Sequence, residues 1–182
     1  MPSQTYFNNL FSLYAPAYPL VSRLFNKSRK RQIHTVQNLK SGEGKVLIIG
    51  GGDGNDIPFF SNLHTITYLD ASIGMYRKAR KKFKGLKNVN FVHADITSFD
   101  SSIEFDIVCL HFCLSTTENP KDVVDKAIDL LCPSGIISVL DVAKPVNFKG
   151  FSLLDLILSK TLSNFKLNVI SLFQNQPVLL LD

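Results

Sequence analysis

The chain has 182 residues, the length of a single domain of ordinary size. Apolar residues form 45% of it and charged residues 19%, which excludes a disordered, collagen-like or low-complexity protein and leaves material for a substantial core. The formal net charge of +5 favours anionic partners. Because no apolar run approaches the ~20 residues of a membrane span and the first thirty residues lack the order of a signal peptide, we expect a soluble, cytoplasmic protein.

The three cysteines, Cys109, Cys113 and Cys132, are odd in number and form no C-x-x-C pair. We therefore expect neither a disulfide framework nor a zinc site, and the sequence predicts no other metal site. We interpret the cysteines as free thiols that act as small hydrophobic residues.

The first forty residues have no strand pattern. Two apolar stretches, 7–13 and 20–25, are separated by Pro16 and Pro19 and predict short helices packed over one end of a sheet. We expect residues 1–40 to form an N-terminal helical cap segment. Residues 41–182 would form the main domain, so that the chain folds as a single compact unit.

From residue 45 onward, short apolar runs rich in β-branched residues alternate with stretches of helical character. These runs predict strands at 45–49, 66–69, 89–92, 107–110 and 136–140. Continuous apolar strands separated by helices are typical of a parallel sheet that is covered on both faces. The pattern therefore predicts an α/β fold.

The intervening helices have recognisable ends. Ser72 can cap a helix through 75–83, and Gly85 would end it. Pro120 suits the first turn of a second helix, whose apolar positions continue over 123–131.

The last third of the chain begins with a turn signal, Pro133-Ser134-Gly135, which predicts a turn into the fifth strand. Residues 151–164 then have the pattern of an amphipathic helix. The segments 168–173 and 178–181 flank a polar stretch with a proline, and we predict that they form a hairpin at the edge of the sheet.

The most informative segment follows the first predicted strand and reads Gly50-Gly51-Gly52-Asp53-Gly54. Glycine lets a ligand approach a turning backbone closely because no Cβ stands in the way. A helix beginning near 55–58 would add unpaired N–H groups and a partial positive charge. A dinucleotide site of the G-x-G-x-x-G type would need a third glycine at position 55, which is Asn. A tight turn of purely structural use is the alternative.

Two carboxylates end neighbouring strands. Asp70 ends the second strand, eighteen residues after Gly52, where it could accept hydrogen bonds from both hydroxyls of a ribose. Asp95 ends the third strand and could accept from an exocyclic adenine amine. Either residue alone could merely cap a helix or turn, but glycines and carboxylates in this order favour a nucleoside ligand.

In motif order, residues 45–145 resemble the class I S-adenosylmethionine-dependent methyltransferases, and among them the ubiquinone/menaquinone C-methyltransferase branch. Residues 47–54, 105–108 with 112–114, and 140–145 carry the resemblance. It implies a Rossmann-like fold whose seven-stranded sheet is mostly parallel, with helices on both faces and a C-terminal antiparallel hairpin. It also implies S-adenosylmethionine as the cofactor and methyl transfer to a small, apolar acceptor.

The resemblance further implies a cofactor-binding set. The glycines would line the methionine moiety, the second-strand aspartate would hold the ribose, and the third-strand aspartate with its neighbour would hold the adenine. A tyrosine in an aromatic N-terminal segment would cover the cofactor. The predicted residues are Tyr18, Gly50, Gly51, Gly52, Gly54, Asp70, Ala71, Asp95, Ile96 and His111.

Two residues are candidate catalytic groups. His111 lies just past the fourth strand, where ligands bind in open α/β sheets, and by the resemblance it would face the methyl group. It is the first candidate for a general base, and Asp141 at the end of the fifth strand is the second. Both could instead be structural residues.

Two other functions remain open. Residues 46–54 also resemble the cofactor loop of spermidine synthases, which use decarboxylated S-adenosylmethionine, and Ile48 fits that loop. Those enzymes place an acidic residue soon after the fourth strand, whereas here the first one is Glu118. The second possibility is a methyltransferase-like domain that serves as a non-catalytic binding module, because Ile48 replaces an acidic residue common in the methyltransferases.

Basic residues form two clusters, seven residues within 77–87 and four within 27–31. A solvated helix face plus a loop is the plain interpretation, and contact with an anionic membrane surface or nucleic acid is the alternative. Nucleic acid is disfavoured because no aromatic interleaving or known RNA-binding motif accompanies the charge. The expected partner is a small-molecule acceptor, with a peripheral membrane contact as a hypothesis.

Overall fold

The computed structural model describes residues 22–142, the strands at Leu167–Phe173 and Leu179–Leu181, and the single residues 9 and 13. Within these residues, seven strands form one sheet. In chain order they are β1 (Gly44–Ile49), β2 (His64–Asp70), β3 (Val89–His93), β4 (Phe105–His111), β5 (Leu131–Val142), β6 (Leu167–Phe173) and β7 (Leu179–Leu181).

The strand order across the sheet is β3-β2-β1-β4-β5-β6-β7. The first five strands are parallel, and β6 and β7 continue the sheet as an antiparallel pair beside β5. The five predicted strands and the predicted C-terminal hairpin are thus confirmed. Because the chain runs outward from β1 to β3 and then returns to β4, a crevice opens at the carboxyl ends of β1 and β4, where α/β proteins bind ligands.

Both faces of the sheet are buried, as continuous apolar strands require. On one face, Leu47 and Leu110 pack with Val123 and Ala127. On the other face, Val46 and Ile48 of β1 belong to a second cluster that includes apolar residues of the N-terminal helix. Complete burial of one such Leu, Ile or Val side chain contributes about 1.5–3 kcal/mol, and β1 gains this stabilisation on both of its faces.

Three α-helices lie in the described part of the chain, namely α1 (Asn26–Leu39), α2 (Ile73–Phe83) and α3 (Pro120–Asp129). The predicted cap of α2 is confirmed, because the Ser72 hydroxyl accepts the Met75 N–H at 3.4 Å. Pro120 occupies the first turn of α3, also as predicted. None of the helices in residues 22–142 has the length and hydropathy to cross a membrane.

Helix α1 differs from the prediction of only a short helix at 20–25. It has 14 residues and follows a turn of 3-10 helix at Arg23–Phe25. Its buried face consists of Arg29, Gln32, Ile33 and Val36. The spacing is that of an amphipathic helix. Two of the four buried side chains are polar, so the hydrophobic pattern did not reveal the helix.

Two local predictions are wrong. The helix expected to begin near 55–58 is a single turn of 3-10 helix, Ile57–Phe59, because the chain is extended again at Phe60 and β2 begins at His64. The turn expected at Pro133-Ser134-Gly135 lies inside β5. There the register with β4 shifts between the pairs Phe105–Leu131 and Ile107–Ile136. The amphipathic helix predicted for 151–164 lies outside the described residues.

Candidate functional site

A cavity of about 300 Å³ opens at the carboxyl ends of the central strands. Its wall is formed by the ends of β1 and β2, the loop after β3, the segment 112–119 that follows β4, and the first turn of α3. Six residues of the predicted cofactor-binding set line it, namely Gly50, Gly52, Asp70, Ala71, Asp95 and Ile96. The structure therefore brings together the glycine turn and both predicted carboxylates.

The glycine turn has a left-handed backbone at Gly50, Gly52 and Gly54, with φ angles of +61°, +57° and +79°. Residues with a Cβ rarely adopt this conformation, which explains the G-x-G-x-G spacing. A Cβ on Gly50 would lie 2.6 Å from the Cβ of Cys113. The turn after β1 therefore meets the segment after β4 in direct contact at the base of the cavity.

Gly51 and Gly54 do not line the cavity, in contrast to their predicted contact with a cofactor. A Cβ on Gly51 would overlap the ring of Tyr68, and a Cβ on Gly54 would lie 2.8 Å from the ring of Phe83. These two glycines are required because the turn packs closely against β2 and α2. Close packing is enough to account for both glycines, and the sequence spacing could not distinguish this reason from ligand contact.

Asp70 is the best-defined polar group of the cavity wall. It is 7% exposed, and its two carboxylate oxygens accept the backbone N–H groups of Gly52 and Ser72, each at 2.8 Å. Burial raises the pKa of Asp70 to about 6, although the two backbone donors oppose the shift. Tyr68 of β2 stabilises the same turn, because its hydroxyl donates to the carbonyl oxygen of Gly52.

Asp95 has the capping role that its sequence position left open, and it also reaches the cavity wall. Its Oδ1 accepts hydrogen bonds from the backbone N–H and the hydroxyl of Thr97, at 2.9 and 2.8 Å, and so caps the short 3-10 helix Ile96–Ser98. The same residue lines the cavity beside Ile96. The carboxylate is thus fixed in position at the wall of the cavity.

His111 has an orientation different from the predicted one. Its side chain is fully buried and is not part of the cavity wall. Nδ1 lies 3.0 Å from Oδ2 of Asp56, and Nε2 lies 2.9 Å from the hydroxyl of Ser138. Both ring nitrogens contact buried side chains, because the ring turns towards the loop after β1 and towards β5. The geometry therefore gives His111 no contact with the space where a methyl group was expected.

The partners of His111 belong to a buried polar network that reaches helix α1. Gln32 donates to the Ser138 hydroxyl at 3.0 Å, and Arg29 donates to Oδ1 of Asp56 at 2.7 Å. Burial of Asp56 raises its pKa, but Arg29 and His111 outweigh this effect and hold the pKa below its ordinary value. Asp56 is therefore an ionised carboxylate that is paired on both oxygens.

The other predicted residues fall into three groups. Asp141, the second candidate base, does not line the cavity, and its Oδ2 accepts the backbone N–H of Ser115 at 3.0 Å. It joins the end of β5 to the segment after β4. Tyr18 lies outside the described residues. Arg29, counted with a solvated basic cluster, is 4% exposed and forms a buried ion pair.

Sequence reasoning missed part of the cavity wall. Phe112 and Cys113 line the cavity, and Phe112 has a left-handed backbone with φ +60°. Burial raises the pKa of the Cys113 thiol well above its ordinary value, and the nearby carboxylates Asp141 and Asp70 raise it further. A phenylalanine carries no sequence signal for positive φ. The position of Phe112 and Cys113 directly after the fourth strand was the one feature of the sequence that could have indicated their place in the cavity wall.

Two curated relatives match this part of the chain. The demethylmenaquinone methyltransferase of Clavibacter sepedonicus is 32% identical over 101 residues, which are 54% of this chain and 40% of that protein. The ubiquinone/menaquinone biosynthesis C-methyltransferase UbiE of Pseudomonas savastanoi pv. phaseolicola is 28% identical over 149 residues, 78% of this chain and 58% of that protein. The chain thus spans between two fifths and three fifths of the length of these relatives.

Solved structures share the fold at lower identity. The N-methyltransferase NodS from Bradyrhizobium japonicum WM9, in complex with S-adenosyl-L-homocysteine, is 21% identical with a TM-score of 0.58, covering 66% of this chain and 63% of NodS. The [4+2]-cyclase SpnF is 19% identical with a TM-score of 0.68, covering 79% of this chain and 62% of SpnF. These similarities confirm the predicted Rossmann-like fold of class I methyltransferases.

The family described as "Methyltransferase domain" matches residues 47–137, from β1 to the middle of β5. This range covers half of the 182 residues and contains the glycine turn, both wall carboxylates and the segment after β4. The chain belongs to this methyltransferase-domain family.

Proposed function

We propose that the chain binds S-adenosylmethionine in the cavity and transfers its methyl group to a small, apolar acceptor. One observation carries the proposal. The buried carboxylate of Asp70 lines the cavity beside Gly52, whose left-handed backbone has no Cβ to exclude a ligand. A carboxylate at this strand end suits the two hydroxyl donors of a ribose.

The remaining wall residues fit an adenosyl sulfonium. Asp95 offers carboxylate oxygen for an amine donor, and Ile96 with Val123 offers an apolar surface for a base. Gly50 and Gly52 leave backbone accessible for the methionine part. The volume of about 300 Å³ lies at the lower end of the range for small-molecule sites. The two curated relatives are named as methyltransferases, which supports the reaction, and NodS was solved with S-adenosyl-L-homocysteine, which supports the cofactor.

The bound sulfonium supplies a methyl group that is already activated for transfer. The chain's own contribution is then alignment and exclusion of water, and positioning of this kind accounts for roughly 7–11 kcal/mol of barrier reduction in favourable cases. Within residues 22–142 the cavity wall contains no histidine. We therefore assign His111 and Asp141 to positioning the loops around the cavity, and assign proton transfer to neither.

Calorimetric titration tests the cofactor assignment. We expect micromolar binding of S-adenosylmethionine and S-adenosylhomocysteine to the wild type and at least a tenfold loss in Asp70→Asn, because the amide offers the ribose one acceptor oxygen in place of two. Asp129→Asn is the matched control, since Asp129 is an exposed carboxylate on α3. Binding of NAD with no response to either sulfur compound would refute the assignment.

The same protein samples distinguish methyl transfer from two alternative functions, a non-catalytic binding module and aminopropyl transfer. SpnF shares this fold and is described as a cyclase, so the fold does not by itself fix methyl transfer as the activity. Stoichiometric S-adenosylhomocysteine formation with an apolar quinol acceptor would support the enzyme. Cofactor binding with no turnover over a panel of acceptors would support a binding module. A preference for decarboxylated S-adenosylmethionine would favour aminopropyl transfer.

We further propose that the protein acts in the cytoplasm, because all three of its cysteines are free thiols.

We also propose that the protein contacts an anionic membrane surface through α2. Arg77, Lys81 and Lys84 are exposed at positions i, i+4 and i+7, and the neighbouring Leu86 is 40% exposed. By contrast, Lys82 donates to Oδ1 of Asn55 at 2.8 Å and supports the glycine turn.

Flotation with liposomes tests this contact. We expect the protein to float with vesicles of phosphatidylserine and phosphatidylcholine and to remain behind with pure phosphatidylcholine. Neutralising Arg77, Lys81 and Lys84 together should abolish flotation, whereas neutralising Lys27, Lys30 and Arg31 on α1 is the matched control. Flotation that is independent of anionic lipid, or retention on DNA in place of vesicles, would refute the membrane assignment.

A further inference from the structure

Phe112 is held in an unfavourable backbone conformation at the wall of the cavity. It follows directly after β4, lines the cavity and has φ +60°. In the described part of the chain it is the one residue other than glycine with positive φ. Such a conformation persists only where surrounding contacts maintain it, and it is common where a side chain must be aimed at a ligand.

The surrounding contacts come from three directions. The Phe112 N–H donates to the carbonyl oxygen of Leu140 at 2.6 Å, which ties the backbone to β5. The ring packs on Phe25 with centroids 4.8 Å apart. The guanidinium carbon of Arg29 lies 4.5 Å from the centre of the Phe112 ring, within the range of a cation–π interaction.

Arg29 reaches this position because Asp56 holds it. The guanidinium is 4% exposed and bonds to Asp56, whose other oxygen contacts His111. Because His111 precedes Phe112 in the chain, Arg29, Asp56, His111 and Phe112 form a closed ring of contacts. In it Arg29 contacts the ring of Phe112, and Asp56 contacts Nδ1 of His111. These contacts join the loop after β1 to the end of β4, the two elements that meet at Gly50 and Cys113.

We infer that Arg29 is a positioning residue for the methyl-transfer site, acting through Phe112. A buried, ionised pair is a costly arrangement unless both partners are well bonded. Here the pair places a planar cation on the ring of a residue that lines the cavity. Arg29 does not line the cavity itself, and of its two partners Asp56 and Phe112 it is Phe112 that does. The inference rests on the proposed binding of S-adenosylmethionine.

A double-mutant cycle on S-adenosylhomocysteine binding tests the inference without measuring turnover. Arg29→Lys keeps the charge beside Asp56 but loses the planar group, and Phe112→Leu keeps an apolar side chain but loses the ring. We expect each variant to weaken binding by about tenfold and the double variant by no more than either one. Lys82→Met is the control, since Lys82 supports the same loop without contacting Phe112 and should combine additively with Phe112→Leu.

Two further variants keep the test decisive. Phe112→Gly removes the backbone cost together with the ring, so it should bind as weakly as Phe112→Leu. Wild-type affinity in this variant would overturn the inference. If Arg29→Lys does not fold, the paired change Arg29→Met with Asp56→Asn removes both charges and should give the same loss of affinity. Unchanged affinity with a lowered melting temperature would mean that Arg29 is merely structural. Absence of binding by the wild type would instead refute the proposed function.

Discussion

The carboxylate of Asp70 accepts the N–H of Gly52 at 2.8 Å, which connects the carboxyl end of β2 to the turn that follows β1. Two elements that are adjacent in the sheet but separated in the chain thus form one wall of the cavity. The same carboxylate is buried and has a pKa of about 6, so its charge changes within an accessible pH range. Ligand binding and stability should both depend on pH through this group.

We predict that affinity for S-adenosylhomocysteine falls as the pH is lowered from 7 to 5. Hydroxyl donors of a ribose need the ionised carboxylate, and below about pH 6 a proton must leave Asp70 when the ligand binds. The dissociation constant should therefore rise towards about tenfold per pH unit below that value. Calorimetry across the range measures it. Asp70→Asn should bind weakly with a flat profile, and a flat profile in the wild type would contradict the prediction.

The stability of the ligand-free protein should change in the opposite sense. The raised pKa means that the folded state keeps a proton on Asp70 that the unfolded state, with a pKa near 3.8, releases. This contribution is fully present below pH 3.8, declines as pH rises through the interval to about 6, and is lost above it. Its size is at most about 3 kcal/mol. Urea unfolding of wild type and Asp70→Asn at pH 5 and 7 would measure the difference, and equal pH dependence would refute it.

The glycines of the turn should separate into two classes. Alanine at Gly54 or Gly52 requires positive φ and should lower the free energy of unfolding by about 1–3 kcal/mol. Gly54→Ala also meets Phe83 but lies outside the cavity wall, so the folded fraction should bind S-adenosylhomocysteine normally. Gly52→Ala should lose affinity as well.

The control for the glycine series is Gly85→Ala. No atom lies within 4 Å of its added Cβ, and its φ is not positive, so stability and affinity should remain unchanged. Differential scanning calorimetry and ligand titration on the same samples measure both quantities. Equal effects of Gly52→Ala and Gly54→Ala on affinity would contradict the division between cavity wall and packing.

Replacing His111 should reduce stability more than turnover. His111→Ala removes one of the two buried partners of Asp56 and of Ser138, which keep Arg29 and Gln32, and we expect a loss of about 1–3 kcal/mol in the free energy of unfolding. Turnover per folded molecule should fall by less than tenfold. Loss of a true general base would lower it by roughly 10²–10⁴. A loss of that size with unchanged stability would restore His111 as the base.

The parallel sheet could be predicted because its strands are continuous apolar runs, as in β1 and β4, and such runs have few other uses. Asp70 and Asp95 were found for a related reason. The carboxyl ends of adjacent parallel strands meet at one edge, so position along the chain fixed their place in the site.

The sequence did not predict the directions in which the side chains at the site point. His111 and Phe112 are neighbours at the end of β4, yet one turns into the interior and the other lines the cavity. Adjacent residues of a strand point to opposite faces, and the left-handed backbone at Phe112 changes the direction again. Arg29 was misassigned because its burial depends on Asp56, 27 positions away. Charge alone predicts exposure unless the partner is known.

Helix α1 has a consequence for the order of folding. Its buried polar atoms bond to Asp56 and to Ser138, the latter 106 positions further along the chain. Contacts of such long sequence separation are slow to form, because the entropy of loop closure opposes them until the intervening strands have assembled. The helix is synthesised before the sheet, but its contact with Ser138 can form only after β5 has left the ribosome. The hydrogen bond from Gln32 to Ser138 is therefore among the last contacts of α1 to form.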